Sequence, residues 1–292
     1  MKEKQALLGK LALLTATLIW GSSFLVMKSA LDDIDTCYLL AIRFTGAFIL
    51  LAIIFYRRLK QLNWTYIING FWMGTWLISA YIIQTVGLIY TTPGKNAFLT
   101  ATYCVLVPFF FWFLTKEKPD IFNIAAALLC IMGIGFVSLG KDFSVGFGDI
   151  LSIICGIFYA IHIVISAKYT RGKVDVILLT IVQFFFAALW SWGGGLLFEE
   201  FPTNMSNSAW FSLAYLSIFA TAIALCCQMV GIQKTSPAVA SLILSLEAVF
   251  GVMFSVLAGA ESISLQLIIG FVLIFLAIMV SETKLEFIRN LF

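Results

Sequence analysis

Ten apolar runs, each about as long as a membrane-crossing helix, dominate this sequence. They cover residues 8–29, 35–56, 65–88, 93–115, 120–140, 148–168, 174–198, 209–231, 236–259 and 264–284. Because a bilayer offers no water to backbone N–H and C=O groups, such a run crosses it as a helix. Hydrophobic residues make up 62% of the chain, whereas a soluble domain contains roughly 45–50% apolar residues. The sequence therefore predicts an all-α membrane protein with ten transmembrane helices.

The basic residues between these runs predict the orientation of the chain. If the N-terminus is cytoplasmic, fourteen lysines and arginines fall on the cytoplasmic side. Only Lys28, Lys95 and Lys141 fall on the outer side, and Arg43 lies within the second run. The positive-inside rule then predicts a multi-pass protein with both termini in the cytoplasm. A net charge of +3 is too small to indicate nucleic acid as a partner.

An internal repeat relates the two halves of the chain. Residues 84–117 are echoed by residues 228–261 at a constant offset (228 − 84 = 144). The matching pairs are Gln84 and Gln228, Gly87 and Gly231, Pro93 and Pro237, and Glu117 and Glu261. Offsets of 139 and 140 relate the first two runs of each half, as in Gly9 and Gly148 or Arg43 and Gln183. Five helices per half is an odd number, so the sequence predicts two inverted five-helix repeats, residues 1–140 and 148–292.

Several stretches resemble the drug/metabolite transporter superfamily. They are IWGSSF at 19–24, the pair Arg43-Phe44, GKNAFLTATYCVLVPFF at 94–110, SLEAVFGVMFS at 245–255, and the glutamates Glu117 and Glu261. Over essentially its whole length the chain is similar to the ten-span group built from two EamA-type domains. The chain departs from that group at Ala248, where the group usually has a proline soon after the acid of the ninth span.

The resemblance implies a secondary carrier in a bacterial cell membrane, often an exporter of amino acids or similar small metabolites. The predicted inverted repeats imply alternating access of a central site to the two sides of the membrane. No cofactor is expected. The expected partners are a small-molecule substrate and the lipid bilayer, and the protein is expected to be a monomer or a homodimer.

Glu247 is the one acid predicted to lie in the middle of a span. Burial away from water disfavours the charged form of a carboxyl group, so Glu247 is a candidate proton carrier or a counter-ion for a cationic substrate. The alternative is a hydrogen-bonded structural residue. Tyr103 occupies the equivalent position in the first half, 144 residues earlier. The repeat therefore predicts that Tyr103 and Glu247 face one cavity.

Arg43 is predicted to lie within the second span, in the outer half of the membrane. A guanidinium group matches the geometry of a carboxylate, so Arg43 is a candidate for binding an anionic substrate group or an acid of the protein. The alternative is that its side chain extends to the outer headgroups. Its repeat partner Gln183 is neutral, which predicts an asymmetric site.

Five further residues complete the predicted substrate and proton pathway. Trp20, Tyr159 and His162 come from the first spans of the two halves, and Gln84 and Gln228 are equivalent residues of the third and eighth spans. Tyr159 and His162 are three residues apart and are expected to share a helix face. The glutamines are candidates either for substrate contact or for hydrogen bonds between helices. With a single histidine and no patterned cysteines, the sequence predicts no metal site.

Two other functions are suggested by parts of the sequence. The string GFGD at 146–149 matches that of intramembrane aspartyl proteases, but that chemistry needs two apposed aspartates and no second intramembrane aspartate occurs. The sequence therefore predicts that the protein is not an enzyme. A carrier of phosphorylated or nucleotide sugars would need several deep basic residues, and Arg43 is the clearest. That carrier remains the alternative to one for a zwitterionic or neutral substrate.

Overall fold

A computed structural model describes residues 2–138, 146–259 and 264–283, and these residues fold into helices joined by short loops. The α-helices are α1 Lys2–Ala30, α2 Thr36–Ile54, α3 Trp64–Ile89, α4 Pro93–Thr100, α5 Tyr103–Thr115, α6 Ile121–Ser138, α7 Phe147–Tyr169, α8 Val176–Phe198, α9 Asn207–Tyr215, α10 Ala224–Lys234, α11 Pro237–Leu244, α12 Leu246–Leu257 and α13 Leu265–Thr283. A 3₁₀ helix, Tyr56–Gln61, follows α2, and a π-helical segment, Leu216–Ile223, joins α9 to α10. Lys141, Glu261 and residues 284–292 lie outside the described residues.

Eight helical segments of the described chain are long and apolar enough to cross a membrane. They are Glu3–Ala30, Thr36–Ile54, Trp64–Ile89, Pro93–Thr115, Phe147–Tyr169, Val176–Phe198, Asn207–Lys234 and Pro237–Leu257. The shorter apolar helices Ile121–Gly133 and Ile268–Ala277 fall in the fifth and tenth predicted runs. The predicted all-α membrane fold is thus confirmed, whereas the count of ten crossings stays a prediction.

The two halves of the chain pack against each other through reciprocal helix pairs. Helix α3 packs along α7, and α1 packs along α10. In the sequence repeat α3 is equivalent to α10 and α7 is equivalent to α1, so these two pairs are equivalent to each other. In two other extensive pairs, α2 with α8 and α6 with α13, each helix packs against its own equivalent in the other half. A two-fold relation between the halves predicts this reciprocity.

Glycines allow the backbones of α3 and α7, and those of α1 and α10, to approach each other closely. A Cβ atom added to Gly148 of α7 would lie 2.6 Å from the carbonyl oxygen of Gly87 on α3. Likewise, a Cβ atom on Gly231 of α10 would lie 3.0 Å from the carbonyl oxygen of Gly9 on α1. The four glycines form two repeat-related pairs, so the same small-residue contact occurs in both halves.

Two spans that the sequence predicts as single helices are interrupted. Residues 93–115 form α4 and α5, and residues 236–259 contain α11 and α12. The residues that cap the first helices of the two spans are Ala101 and Ser245, which are 144 positions apart, the offset of the repeat. The interruption therefore occurs at equivalent points of the two halves.

A side-chain hydroxyl bonds to the preceding turn at each interruption. The Thr102 hydroxyl donates to the carbonyl oxygen of Leu99 at 2.8 Å, and the Ser245 hydroxyl donates to that of Leu242 at 2.7 Å. Such hydroxyls compete with the backbone for the carbonyl groups of the preceding turn. Helices α5 and α12 therefore begin within spans that the sequence predicts as single helices.

Candidate functional site

A cavity lies where the two halves meet, and residues of α1, α2, α3, α5, α7, α10, α11 and α12 line it. In this conformation the space inside it that is open to a water-sized molecule amounts to about 30 Å³. Seven of the eight residues predicted from the sequence line this cavity: Trp20, Arg43, Gln84, Tyr103, Tyr159, Gln228 and Glu247. The fold thus brings residues that are up to 227 positions apart (247 − 20) to one central space.

Glu247 lies in the first turn of α12, directly after the interruption of its span, and is only 5% exposed. The unpaired amides of a first helical turn carry partial positive charge, which favours a carboxylate there. Tyr103, in the first turn of α5, lies near the carboxyl group, but its hydroxyl makes no hydrogen bond of good geometry. Among the residues that the structure describes, no basic side chain forms an ion pair with Glu247.

Arg43 is 1% exposed and is held by protein acceptors. Its Nε donates to Oγ1 of Thr221 at 2.5 Å, and its Nη2 contacts the Tyr81 hydroxyl and the carbonyl oxygen of Ala220, each at 3.3 Å. Its Nη1 lies 3.7 Å from Sδ of Met27. The alternative in which this side chain extends to the headgroups does not hold, because α2 directs it into the protein. No carboxylate of residues 2–138, 146–259 or 264–283 lies within 4.0 Å of the guanidinium group.

The π-helical segment Leu216–Ile223 supplies the contacts of Arg43 in the second half. The amide of Ala224 donates to the carbonyl oxygens of Phe219 and Thr221, and thus not to that of Ala220 four residues earlier. The Ala220 carbonyl instead accepts from Nη2 of Arg43 and, at 2.8 Å, from Nε1 of Trp20. The π-helical turn therefore presents a backbone acceptor beside the cavity, an arrangement common at functional sites.

Gln84 is the centre of a hydrogen-bond network that uses both ends of its amide group. The Tyr159 hydroxyl donates to its Oε1 at 2.8 Å, and its Nε2 donates to the Thr100 hydroxyl at 3.2 Å. Nδ2 of Asn96 donates to the Gln84 carbonyl oxygen at 3.2 Å and to the Ser152 hydroxyl at 2.7 Å. This network joins α3, α4 and α7, which is the interhelical role considered for Gln84.

Gln228, the repeat partner of Gln84, has no such network. Its Oε1 is buried and accepts no hydrogen bond from the described residues. The positions equivalent to Thr100 and Tyr159 are Leu244 and Trp20 in the other half. Leucine has no hydrogen-bonding group, and the Trp20 indole donates to Ala220 instead. Gln84 and Gln228 are equivalent in the repeat, but only Gln84 has its hydrogen-bonding groups occupied by protein partners among the described residues.

His162 is the predicted site residue that does not line the cavity. It is fully buried, and its Nε2 lies 3.1 Å from Oε1 of Gln183 on α8 and 3.4 Å from the Ser166 hydroxyl. A step of three residues leaves His162 about 60° away from Tyr159 around α7. That angle is enough to direct Tyr159 into the cavity and His162 against α8.

Sequence reasoning missed several lining residues, among which Tyr81, Ser23 and Met27 are the most relevant. Tyr81 lies three residues before Gln84 and Ser23 three residues after Trp20, so helical spacing from a predicted residue could have found both. No local signal in the sequence indicates that Met27 contacts the guanidinium group.

Residues 7–139 and residues 146–283 each match the EamA-like transporter family. The chain belongs to this family. An uncharacterized transporter of Archaeoglobus fulgidus is 32% identical over 274 residues, which cover 94% of this chain and 85% of the relative. The uncharacterized transporter YoaV of Bacillus subtilis is 25% identical over 276 residues, 90% of this chain and 93% of the relative. The predicted superfamily is thereby confirmed.

The fold of this EamA-like transporter also occurs in a solved structure. A crystal structure of a protein superposes with a TM-score of 0.78 over 97% of this chain and 98% of the other. The two sequences are 21% identical, so this likeness shows the shared fold alone.

Proposed function

We propose that this EamA-like transporter is a secondary-active carrier that exports amino acids or similar small organic metabolites by alternating access. The observation that carries the proposal is the cavity between the halves, in which Glu247 is buried without an ion pair to a described residue. A buried acid in a membrane protein is costly unless it is neutral, paired or hydrated. In a carrier, binding of a substrate or a proton to the acid can offset this cost.

Alternating access follows if the halves are inverted repeats that exchange conformations. The reciprocal packing of α3 with α7 and of α1 with α10 supports this relation. The interruptions after Ala101 and Ser245 also support it, since they occur at equivalent positions. Transporters commonly place their substrate site beside such interrupted helices, because helix ends offer unpaired backbone groups there.

Proton coupling is proposed to occur through Glu247. The carboxyl group lies at the start of α12 beside the cavity, where it can bind a proton in one conformation and release it in the other. Burial favours the neutral acid. A conformational change that hydrates the carboxyl group would favour its ionised form and release of the proton.

The alternative carrier, for phosphorylated or nucleotide sugars, has less support. Arg43 is the one basic residue among those that line the cavity, and its donors already contact Thr221, Tyr81 and Ala220. The alternative of an intramembrane protease is also disfavoured, because Asp149 forms an ion pair with Lys95 at the start of α7. A zwitterionic or neutral organic substrate fits the cavity better.

Reconstitution into liposomes tests the proposed function. The purified protein is expected to move one or more labelled amino acids or metabolites of a panel, and a pH gradient is expected to drive the movement. Glu247→Gln keeps the shape of the side chain and removes its titration, so the transport that remains should not respond to the gradient. Glu200→Gln, at an exposed position after α8, is the control and should retain the response. An unchanged pH response in Glu247→Gln would show that the acid is structural.

A further inference from the structure

The polar groups around the cavity divide into two sets. In the first set, Arg43, Tyr81, Gln84 and Tyr159 are joined to protein partners by hydrogen bonds. The second set comprises Oε1 of Gln228, the Tyr103 hydroxyl and the Glu247 carboxyl group. Oε1 of Gln228 and the Tyr103 hydroxyl are buried and have no hydrogen-bond partner among the described residues.

Buried polar groups without partners are rare in native proteins, and each one calls for a specific explanation. For Gln228 the explanation is not a strained loop, because the residue lies within the regular helix α10. It is also not a general feature of the repeat, because Gln84 uses both ends of its amide group. A ligand in the adjoining cavity would complete the hydrogen bonding of Gln228 and Tyr103.

The chemistry of the second set selects the kind of ligand. A glutamine Oε1 accepts hydrogen bonds, a carboxylate accepts them, and a tyrosine oxygen can accept them. A protonated primary amine offers three N–H donors and a positive charge. The rings of Trp20 and Tyr159 line the same cavity and can add cation–π attraction. A carboxylate ligand would find few open donors here, because those of Arg43 contact Thr221, Tyr81 and Ala220.

We propose that Gln228, Tyr103 and Glu247 form a subsite for a protonated primary amine of the substrate. The proposal rests on the proposed function, since it names the group by which the carrier recognises its substrate. Gln228 and Tyr103 accept N–H hydrogen bonds, and Glu247 supplies the counter-charge. Arg43 is then a fixed charge that holds α2 to the π-helical segment, rather than the ligand-binding group that its residue type predicts.

Binding to the purified full-length protein in detergent tests the subsite. Isothermal titration calorimetry compares phenethylamine, which is an ammonium ion at pH 7, with 2-phenylethanol and 3-phenylpropionate as neutral and anionic relatives of similar size. We expect phenethylamine to bind at least about tenfold more tightly than either relative, because hydrogen bonds to charged groups are the stronger ones.

Two variants each remove one acceptor from the subsite. Tyr103→Phe removes only a hydroxyl, which lies near Glu247 but makes no hydrogen bond of good geometry to a described residue, and Gln228→Met keeps the length of the side chain. Each should weaken phenethylamine binding by about tenfold and change 2-phenylethanol binding by less than about twofold. If Gln228→Met fails to fold, Tyr103→Phe still provides the test.

Gln233→Met is the matched control. Gln233 also lies on α10, but its Nε2 donates to the carbonyl oxygens of Thr170 and Val174, and it does not line the central cavity. The control should keep the preference for phenethylamine. The proposal is overturned if folded wild-type protein does not bind phenethylamine, or if 3-phenylpropionate binds as tightly. It is also overturned if the variants weaken both probes equally.

The outcome for the subsite is separable from that for the proposed function. A protein that binds phenethylamine selectively but moves no compound in liposomes would contradict the carrier and keep the subsite. A protein that transports compounds without preference for an amine would contradict the subsite and keep the carrier.

Discussion

Lys95 and Asp149 form an ion pair that links the first turn of α4 to the first turn of α7, with Nζ 2.6 Å from Oδ2. Asp149 also accepts from the Thr91 hydroxyl and from the amide of Gly146, each at 2.8 Å. The equivalent positions in the other half are Val239 and Lys10, which cannot form an ion pair. In the predicted orientation this contact lies at the outer end of the fold, so it favours closure on that side.

Breaking this ion pair should open the outer side. Cys155 follows Asp149 on α7 and is fully buried. In a variant with Cys155 as the one cysteine, Asp149→Asn should raise the rate of labelling by an external hydrophilic thiol reagent severalfold. The control is Asp175→Asn, which breaks the ion pair of Arg58 and Asp175 (Nη1 to Oδ1, 2.7 Å) near the predicted cytoplasmic side. Equal labelling in wild type and Asp149→Asn would refute the outer closure.

Arg43 should matter mainly for stability. From sequence alone, Arg43→Ala is expected chiefly to weaken binding of a carboxylate. The structure instead predicts that Arg43→Met lowers the thermal unfolding temperature by several degrees, because Thr221, Tyr81 and Ala220 lose a shared donor. Thr221→Val removes one of these bonds, at a cost of about 1 kcal/mol in unfolding free energy, and should lower the temperature less. Equal stability of wild type and Arg43→Met would contradict this role.

The glycine contact between α3 and α7 should tolerate no larger residue. In Gly148→Ala the new Cβ atom would lie 2.6 Å from the Gly87 carbonyl oxygen, and backbone atoms cannot move aside as a side chain can. We expect a loss of about 1–3 kcal/mol in unfolding free energy, measured by denaturation in detergent. Gly193→Ala on α8, where no atom lies within 4 Å of the new Cβ, should be neutral or slightly stabilising. A stable Gly148→Ala variant would mean that the two helices can separate.

The predicted orientation can be tested with cysteines and a reporter. Cys37, near the start of α2, is partly exposed, whereas Cys130 on α6 is fully buried. In single-cysteine variants, an external hydrophilic thiol reagent should label Cys37 and leave Cys130 unlabelled. A reporter fused after residue 292 should be active in the cytoplasm, as the fourteen-to-three distribution of basic residues predicts. A reporter found outside would show that the number of spans was miscounted.

Much of the fold and part of the candidate site could be predicted from the sequence. Run length predicts membrane helices because a bilayer has a fixed thickness. The offset of 144 predicts that Tyr103 and Glu247 occupy equivalent positions, and both line one cavity. Their functional roles, and the inverted relation of the halves, stay predictions.

Contacts between distant residues could not be read in this way. Arg43 meets Thr221 across 178 positions, and that meeting depends on a π-helical segment with no signature in the sequence. Whether His162 faces the cavity or Gln183 depends on which helix packs beside α7. The sequence by itself determined the membrane-spanning helices, the repeat and the buried acid, because these follow from local hydrophobicity and spacing. Only the tertiary structure decided which polar groups are satisfied, because a hydrogen bond depends on where folding places both partners.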